Sequence, residues 1–591
     1  MTLDRRDWLS VAGIIGLAVG VPTVLGIASG SINIPHNDDF DYRQVALTLW
    51  STGTLEMRGF SVMSLIGQVL FVQPFLWLSG GAPWAFAAAT ASLTIGGLAS
   101  AYLLIRRALS IPSTTLAVLA AVLVPGFLVN TTSFMTDLPA LASEFICLAL
   151  GSAAIGRGGR ISWRFLIASL AVGCFGVSIR ESALAAPMAV ILVSALADAR
   201  GPRRHIAVAV VLLATAAVVH LLAASIPGQG AARFDPGPGI GRLRAAFSTL
   251  ALCLSPALVV AIAWWRSRWR VMDVLPGLVI GLYIALGALS TLAKSGRLPS
   301  MLIGNLFSFA GPTGGGALGG GRPPIYPTEV WTGVQVAAFI ATILLPGVIT
   351  GILGSTLRHG GLSRQRLREW SRSPEGLLVV FTLFTAVGLA LYGWAFTMFD
   401  RYLWPLVISG SALLLVRPAS VAVAADEPGP GEPEVAPEPA PVTDTPRLAP
   451  SPPPWARLRP APWLAGALLG ALGCLSILNL LASNAFAAAR WQVGEKAVAM
   501  AIPAAHVDAG MEWVGYYASG DAKVFAGAPR GQMWYTGWWP SFHLCAVVSS
   551  SPITGPGYVL AYVDQTAYRQ FQFAGRALPL YLYRFTGPRC P

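Results

Sequence analysis

Long apolar runs alternate with short polar breaks along most of this chain. A run of about 18 or more apolar residues is what a helix needs to cross a bilayer, and backbone groups in hydrocarbon must bond within their own helix. The pattern predicts spans at 8–30, 82–105, 113–131, 138–155, 163–179, 182–198, 205–226, 247–265, 274–293, 333–356, 376–398, 402–417 and 462–485. Basic residues fall in every second connection: Arg5/Arg6, Arg106/Arg107, Arg157/Arg160/Arg164, Arg200/Arg203/Arg204, Arg266/Arg268/Arg270 and the stretch from Arg358 to Arg372. The connections between them carry fewer Lys and Arg, and these are mostly dispersed: Arg43, Arg58, Arg180, Arg233, Arg242, Arg244, Lys294, Arg297, Arg322 and Arg401. This is the positive-inside pattern, and it predicts a cytoplasmic N-terminus and an extracytoplasmic C-terminus. Residues 8–30 read as a retained span, because they are longer than a signal peptide's apolar core and many spans follow.

Three segments depart from the rhythm. Residues 60–79 are apolar, yet counting them as a crossing would put the later basic loops outside; interrupted by Gln68, Gln73 and Pro74, they are expected to form an interfacial or re-entrant helix. Residues 418–461 are rich in Pro, Ala and acids and cannot bury a core, which predicts a disordered cytoplasmic linker. Residues 294–332 carry GPTGGGALGGGRPP without the Gly-Lys-Ser/Thr of a phosphate loop; a connector and a mobile lid are both open readings.

Beyond 485 the pattern changes. A helical stretch, AFAAARWQVGEKAVAMAI, precedes alternating segments such as YVLAYV and LPLYLYRF that read as strands. The expected organisation is a membrane core over 1–417 with a first outer loop at 31–81, the linker 418–461, a last span 462–485, and an extracytoplasmic α/β domain over 486–591. Two of the six cysteines, Cys545 and Cys590, fall in that domain, where an oxidising compartment would permit a bond between them. The fold class is thus an all-α polytopic membrane bundle of about thirteen transmembrane helices with a small C-terminal α/β domain. It is expected in the plasma (inner) membrane as a multi-pass protein.

Composition sharpens this picture. The 591 residues are 54% hydrophobic and 11% charged, a balance foreign to a soluble domain of this size. The net charge of +13 is spread through cytoplasmic connections, with no basic patch interleaved with aromatics, so nucleic acid is not an expected partner. Membrane lipid is.

Most notable ionisable groups gather on the outer side. Asp38, Asp39 and Asp41 lie in the first outer loop, in Pro35-His36-Asn37-Asp38-Asp39-Phe40-Asp41-Tyr42. Asp137 opens the fourth span, Arg180 and Glu181 occupy the turn between the fifth and sixth, and Asp400-Arg401-Tyr402 occupies another outer turn. Glu144 follows Asp137 by seven residues, on the same helix face about 10 Å deeper at 1.5 Å per residue. Each alone reads as well as a helix cap or a snorkelling cation. Together they suit group transfer from a phosphate leaving group: a carboxylate takes the acceptor's proton, and Arg180 and Arg401 stabilise charge on phosphate oxygens. Paired carboxylates could equally hold a divalent cation, and the residues do not separate the two roles.

At these residues the chain resembles the GT-C glycosyltransferases, in the branch shared by protein O-mannosyltransferases and bacterial aminoarabinose transferases (glycosyltransferase family 39-type). That branch carries Asp-Glu/Asp-x-x-Tyr in its first outer loop, matched here by Asp38-Asp39-Phe40-Asp41-Tyr42. Its Asp before Pro at an outer helix start resembles Asp137-Leu138-Pro139, and its late Arg-Tyr before Pro looks like Arg401-Tyr402-Leu403-Trp404-Pro405. Arg180-Glu181-Ser182-Ala183 is similar to an Arg ahead of a short span in bacterial members. The resemblance implies Asp38 as the catalytic carboxylate with Asp39 in support, Arg180, Arg401 and Tyr402 at the donor phosphate, and Asp137, Asp41 and Glu181 as supporting acids. It further implies a polyprenyl-phosphate sugar donor, inversion at the anomeric carbon, and a lipid, glycan or protein acceptor. No cofactor is implied for certain. It covers roughly residues 1–417; the linker and the tail match neither subfamily.

A lipid-linked-sugar transporter or flippase would instead place charge near the bilayer midplane, often with internal repeats, and neither is visible. A non-catalytic cell-envelope assembly protein would use Trp534, Tyr535, Trp538 and Trp539 to stack on glycan rather than to pack a core.

Overall fold

The computed structural model describes residues 4–155, 161–198, 203–230, 234–295, 302, 323, 325–360, 369–417, 461–518, 522–523, 533–555, 557–586 and 590. The linker up to residue 460, the glycine-rich part of 294–332, Arg157, Arg160, Arg200 and the Trp534 side chain lie outside them.

The bundle starts with a capped helix, Arg5–Ser29, which passes one π turn at Gly16–Gly20 and stops at Gly30 in the left-handed region, φ +77°. Asp4 and Asp7 exchange backbone and side-chain hydrogen bonds at its N-terminus, satisfying two orphan N–H groups. Asp7 also accepts from Arg106 Nε at 2.7 Å and Tyr102 OH at 2.9 Å, tying this end to the basic end of helix Trp84–Arg106.

Among the described residues, eight helices are long and apolar enough to cross a membrane, and five shorter apolar ones stand among them. The thirteen expected stretches are helical in whole or part, but length alone counts only the eight. The stretch 113–131 breaks at Gly126, φ +102°, and 402–417 contributes an 11-residue helix, Trp404–Leu414. Helix Ile66–Ser79 has 14 residues, roughly 21 Å, which is short of the hydrocarbon thickness. Gln68 Nε2 donates to the Phe134 carbonyl at 2.7 Å and Gln73 Nε2 to the Val69 carbonyl at 2.9 Å, while Trp77 and Leu78 stay exposed.

Small residues allow the central crossings. A Cβ at Gly97 would collide with the Ala142 backbone, so helix Trp84–Arg106 rests directly on Asp137–Ala154. One continuous apolar core holds the bundle, built from residues such as Phe127, Phe145, Phe381 and Trp404.

The last span and the tail's helix are one element. Ala461–Ala499 runs 39 residues without a break, roughly 58 Å, about twice a bilayer's hydrocarbon depth. The boundary expected at 485 falls inside this single helix. Against its far end packs a four-stranded sheet in the order β1-β2-β4-β3, with β1 Val507–Asp508, β2 Ala546–Ser549, β3 Tyr558–Phe571 and β4 Ala574–Phe585. β1 joins β2 in parallel; β4 pairs antiparallel with both β2 and β3, from Tyr558↔Phe585 to Phe571↔Ala574. Cys545 and Cys590 form a disulfide. Tyr535 and Trp539 are buried in this domain's packing, and Tyr535 OH donates to Asp508 at 2.6 Å, a core use of both rings.

Candidate active site

Four chain segments meet at one end of the bundle. Asp38 precedes helix Asp39–Thr52, behind Asn37 at φ +56°. Asp137 opens helix Asp137–Ala154, Arg180 ends Trp163–Ile179, and Arg401 lies in the one-turn helix Asp400–Leu403. Helix ends are where side chains leave the apolar packing, so charge collects there without crossing the core.

Asp137 is the hub. Arg180 Nη1 pairs with its Oδ1, and Arg401 Nε stands 3.1 Å from its Oδ2, an ion contact without hydrogen-bond alignment. Arg401 Nη2 reaches Asp38 Oδ2 at 3.1 Å, and the Arg401 backbone N–H donates to Asp400 at 2.8 Å. Aromatic faces back both cations: Arg180 lies 4.0 Å from the Tyr402 ring centre and Arg401 4.5 Å from that of Phe399. Arg401 Nη1, buried, has no hydrogen-bond partner among the described residues. An unmet guanidinium donor in a buried site is an invitation to an anion.

Asp137, Arg180, Arg401 and Tyr402 line a cavity of about 470 Å³, in the range of small-molecule sites. Asp137, Arg180, Glu181, Arg401, Tyr402 and Tyr392 form its polar end, while Leu141, Met188, Phe384 and Leu389 give apolar walls. Asp38 reaches the cavity through Arg401. Its side chain is 18% exposed; burial pushes its carboxyl above the ordinary value, Arg401 works against that rise, and the Asp137 carboxylate adds to it.

Asp39 has a different part. Its Oδ1 accepts from the His36 backbone N–H at 2.7 Å, and its Oδ2 from Phe134 N–H at 2.9 Å and Arg43 Nη2 at 3.0 Å. Fully buried and committed to these partners, it binds the Asp38 loop to the segment that leads into Asp137. Asp41 is likewise turned inward, onto the Ser61 hydroxyl; burial lifts its carboxyl to about 6. Glu181 is open to solvent at 42%, accepts from Ser64 Oγ at 2.6 Å, and lies 3.9 Å from His220 Nδ1. The position between the Asp38 and Asp137 carboxylates, where a divalent cation would bridge them, is taken by the Arg401 guanidinium. Among the described residues no group of three or more His, Cys, Asp or Glu is arranged around a metal site.

The tail domain was absent from the expected site, yet it touches the loop that carries Asp38. Glu512 Oε1 accepts from the Asn37 N–H at 3.4 Å, and Arg490 Nη2 holds the other Glu512 oxygen at 2.5 Å. Gln44 donates to the Tyr516 carbonyl, and Phe40 packs on Gly515. Contacts across some 475 positions leave no local signal in a sequence.

No protein-family model matches the chain, and no curated protein matches it. Two solved structures are similar to it in part. Apo ArnT from Cupriavidus metallidurans is 12% identical with a TM-score of 0.30, covering 68% of this chain and 76% of that one. ArnT from the same organism bound to undecaprenyl phosphate is 14% identical with a TM-score of 0.28, covering 70% and 80%. Likeness at that level leaves the family open.

Proposed function

We propose that this chain is an integral membrane glycosyltransferase that moves a sugar from a polyprenyl-phosphate-linked donor to a lipid, glycan or protein acceptor on the extracytoplasmic side. The observation that carries the reading is the pair of buried arginines sharing Asp137 at the polar end of an otherwise apolar cavity, with Asp38 on one of them. An amphiphile with an anionic head fits both halves of such a space.

Phosphate arriving at Arg401 competes with Asp38 for the guanidinium and releases that carboxylate. Asp38 then accepts the proton of the acceptor hydroxyl as its oxygen attacks the anomeric carbon. The bond from that carbon to the phosphate oxygen breaks, the electron pair leaves with the phosphate, and Arg180 and Arg401 stabilise the added negative charge. Attack opposite the phosphate inverts the anomeric centre.

The membrane arrangement in this reading has the N-terminus in the cytoplasm, thirteen crossings and the tail domain outside. The Arg-rich inner connections support it. So does the Cys545–Cys590 bond, which suits an oxidising compartment.

Asp38→Asn, reconstituted in liposomes with a polyprenyl-phosphate sugar and an acceptor, is expected to lose roughly 10²–10⁴ in turnover while remaining folded. In the parent protein the base form is required, so rate falls as pH drops. Because burial raises the Asp38 pKa, that fall begins above pH 3.8, the ordinary aspartate value. Full turnover by Asp38→Asn would remove Asp38 from the mechanism.

A further inference from the structure

Deeper in the same cavity sits a carboxylate with nothing to hold. Glu144 lines the space on helix Asp137–Ala154, is only 3% exposed, and makes no hydrogen bond among the described residues; its Oε2 is sealed from solvent. Thr385, on helix Pro374–Ala395, lines the cavity too and is 6% exposed. Its hydroxyl has no partner among the described residues, although Thr382, one turn earlier, returns its own to the Leu378 carbonyl at 2.7 Å. Buried polar groups are almost always satisfied, and two left unmet on two helices around one empty volume point to a ligand that satisfies them.

The character of that ligand follows from the geometry. Glu144 lies seven residues beyond Asp137, the acid the two arginines share, roughly 10 Å along the helix. One sugar ring extending inward from a phosphate, met by a glutamate side chain, covers that depth. Hydrocarbon laid against Glu144 would leave its buried carboxyl group without a hydrogen-bond partner, which costs more than placing it against hydroxyls. Resting on the function proposed above, we infer that Glu144, with Thr385 beside the same cavity, is the specificity subsite for the donor's sugar and takes its hydrogen-bond-donating groups, hydroxyl or ammonium. Neither residue performs chemistry; they select and seat the headgroup.

The test compares two classes of lipid on protein in nanodiscs: undecaprenyl phosphate, and undecaprenyl phosphate bearing glucose, mannose or 4-amino-4-deoxyarabinose. Wild type should bind at least one glycosylated lipid more tightly than the bare one. Glu144→Gln should weaken that lipid ten-fold or more and leave bare undecaprenyl phosphate within two-fold; Thr385→Val should weaken it about three-fold. The amino sugar should suffer most if an ammonium is read, since Gln accepts a hydrogen bond but carries no charge. Gln matches Glu in size and buries no new group, so the Tm of Glu144→Gln should hold, which separates subsite loss from misfolding. Equal binding of bare and glycosylated lipid by wild type, or equal effects of Glu144→Gln on both, would overturn the subsite while leaving the arginine site intact. Wild type that binds no phosphorylated lipid would bring down the functional reading, and the subsite with it.

Discussion

Asp41 shows how a carboxylate in an acidic motif can serve the fold rather than the chemistry. It is buried against Ser61, and its pKa of about 6 exceeds the ordinary 3.8 because burial disfavours the charged form. The folded protein therefore binds this proton more tightly than the unfolded chain does. Stability from Asp41 is fully present below pH 3.8 and is lost as pH rises through about 6. Asp41→Asn keeps an acceptor for Ser61 without the charge. It should be as stable as the parent or more so at pH 7.5, by at most about 3 kcal/mol, and should flatten the change in Tm between pH 4 and 6. A steep loss of Tm at neutral pH would show that the ionised form is the one the fold uses. Residue type and order made Asp38, Asp137, Arg180 and Arg401 legible as a group, because charge is rare in this chain and each stands at a helix end. The tie that Asp39 makes to the segment before Asp137 was not legible. It depends on which adjacent carboxylate meets the Phe134 N–H, a contact that spacing does not encode.

Among elements, the short helix Met511–Tyr517 matters beyond its size, because it rests on helix Asp39–Thr52 directly behind Asp38. Contact is this close only because residue 515 is glycine; a Cβ there would fall within the Phe40 ring. Phe40 cannot step aside, being buried against Phe60 at 5.1 Å and Trp539 at 5.8 Å between ring centres. Gly515→Ala should shift the Asp38 loop and cost at least ten-fold in turnover, with binding of undecaprenyl phosphate little changed. Unaltered turnover would mean that the tail helix does not position the loop. Hydrophobic periodicity located most helices well, since in lipid-like packing each run has one way to satisfy its backbone. It could not tell a crossing from a short buried helix. Ile66–Ser79 is as apolar as the longer helices, and only its length and neighbours differ.

For the whole molecule, the tail is built into the machine that the membrane core alone was expected to form. Its sheet is closed by the Cys545–Cys590 bond, which joins the edge of β2 to the chain end 45 residues later. A link over a loop of that size stabilises by about 2–4 kcal/mol, chiefly by restricting the unfolded chain. Cys590→Ser should make the tail domain several-fold more sensitive to limited proteolysis, and added reductant should do the same to the parent protein. Equal cleavage in all three would show that packing on the Ala461–Ala499 helix holds the sheet unaided. Composition announced the change of pattern after 485, but not that one helix passes through it, because both halves carry the same helical preference.

That unbroken helix makes the tail domain a fixture. No hinge separates the bilayer anchor from Arg490, the residue that grips Glu512 behind Asn37. Adding a single residue to the rod below Arg490 would turn everything past it by roughly 100° and lift it by about 1.5 Å. The stretch thus works as both ruler and protractor: its residue count sets how high the tail domain stands above the lipid and which way it looks.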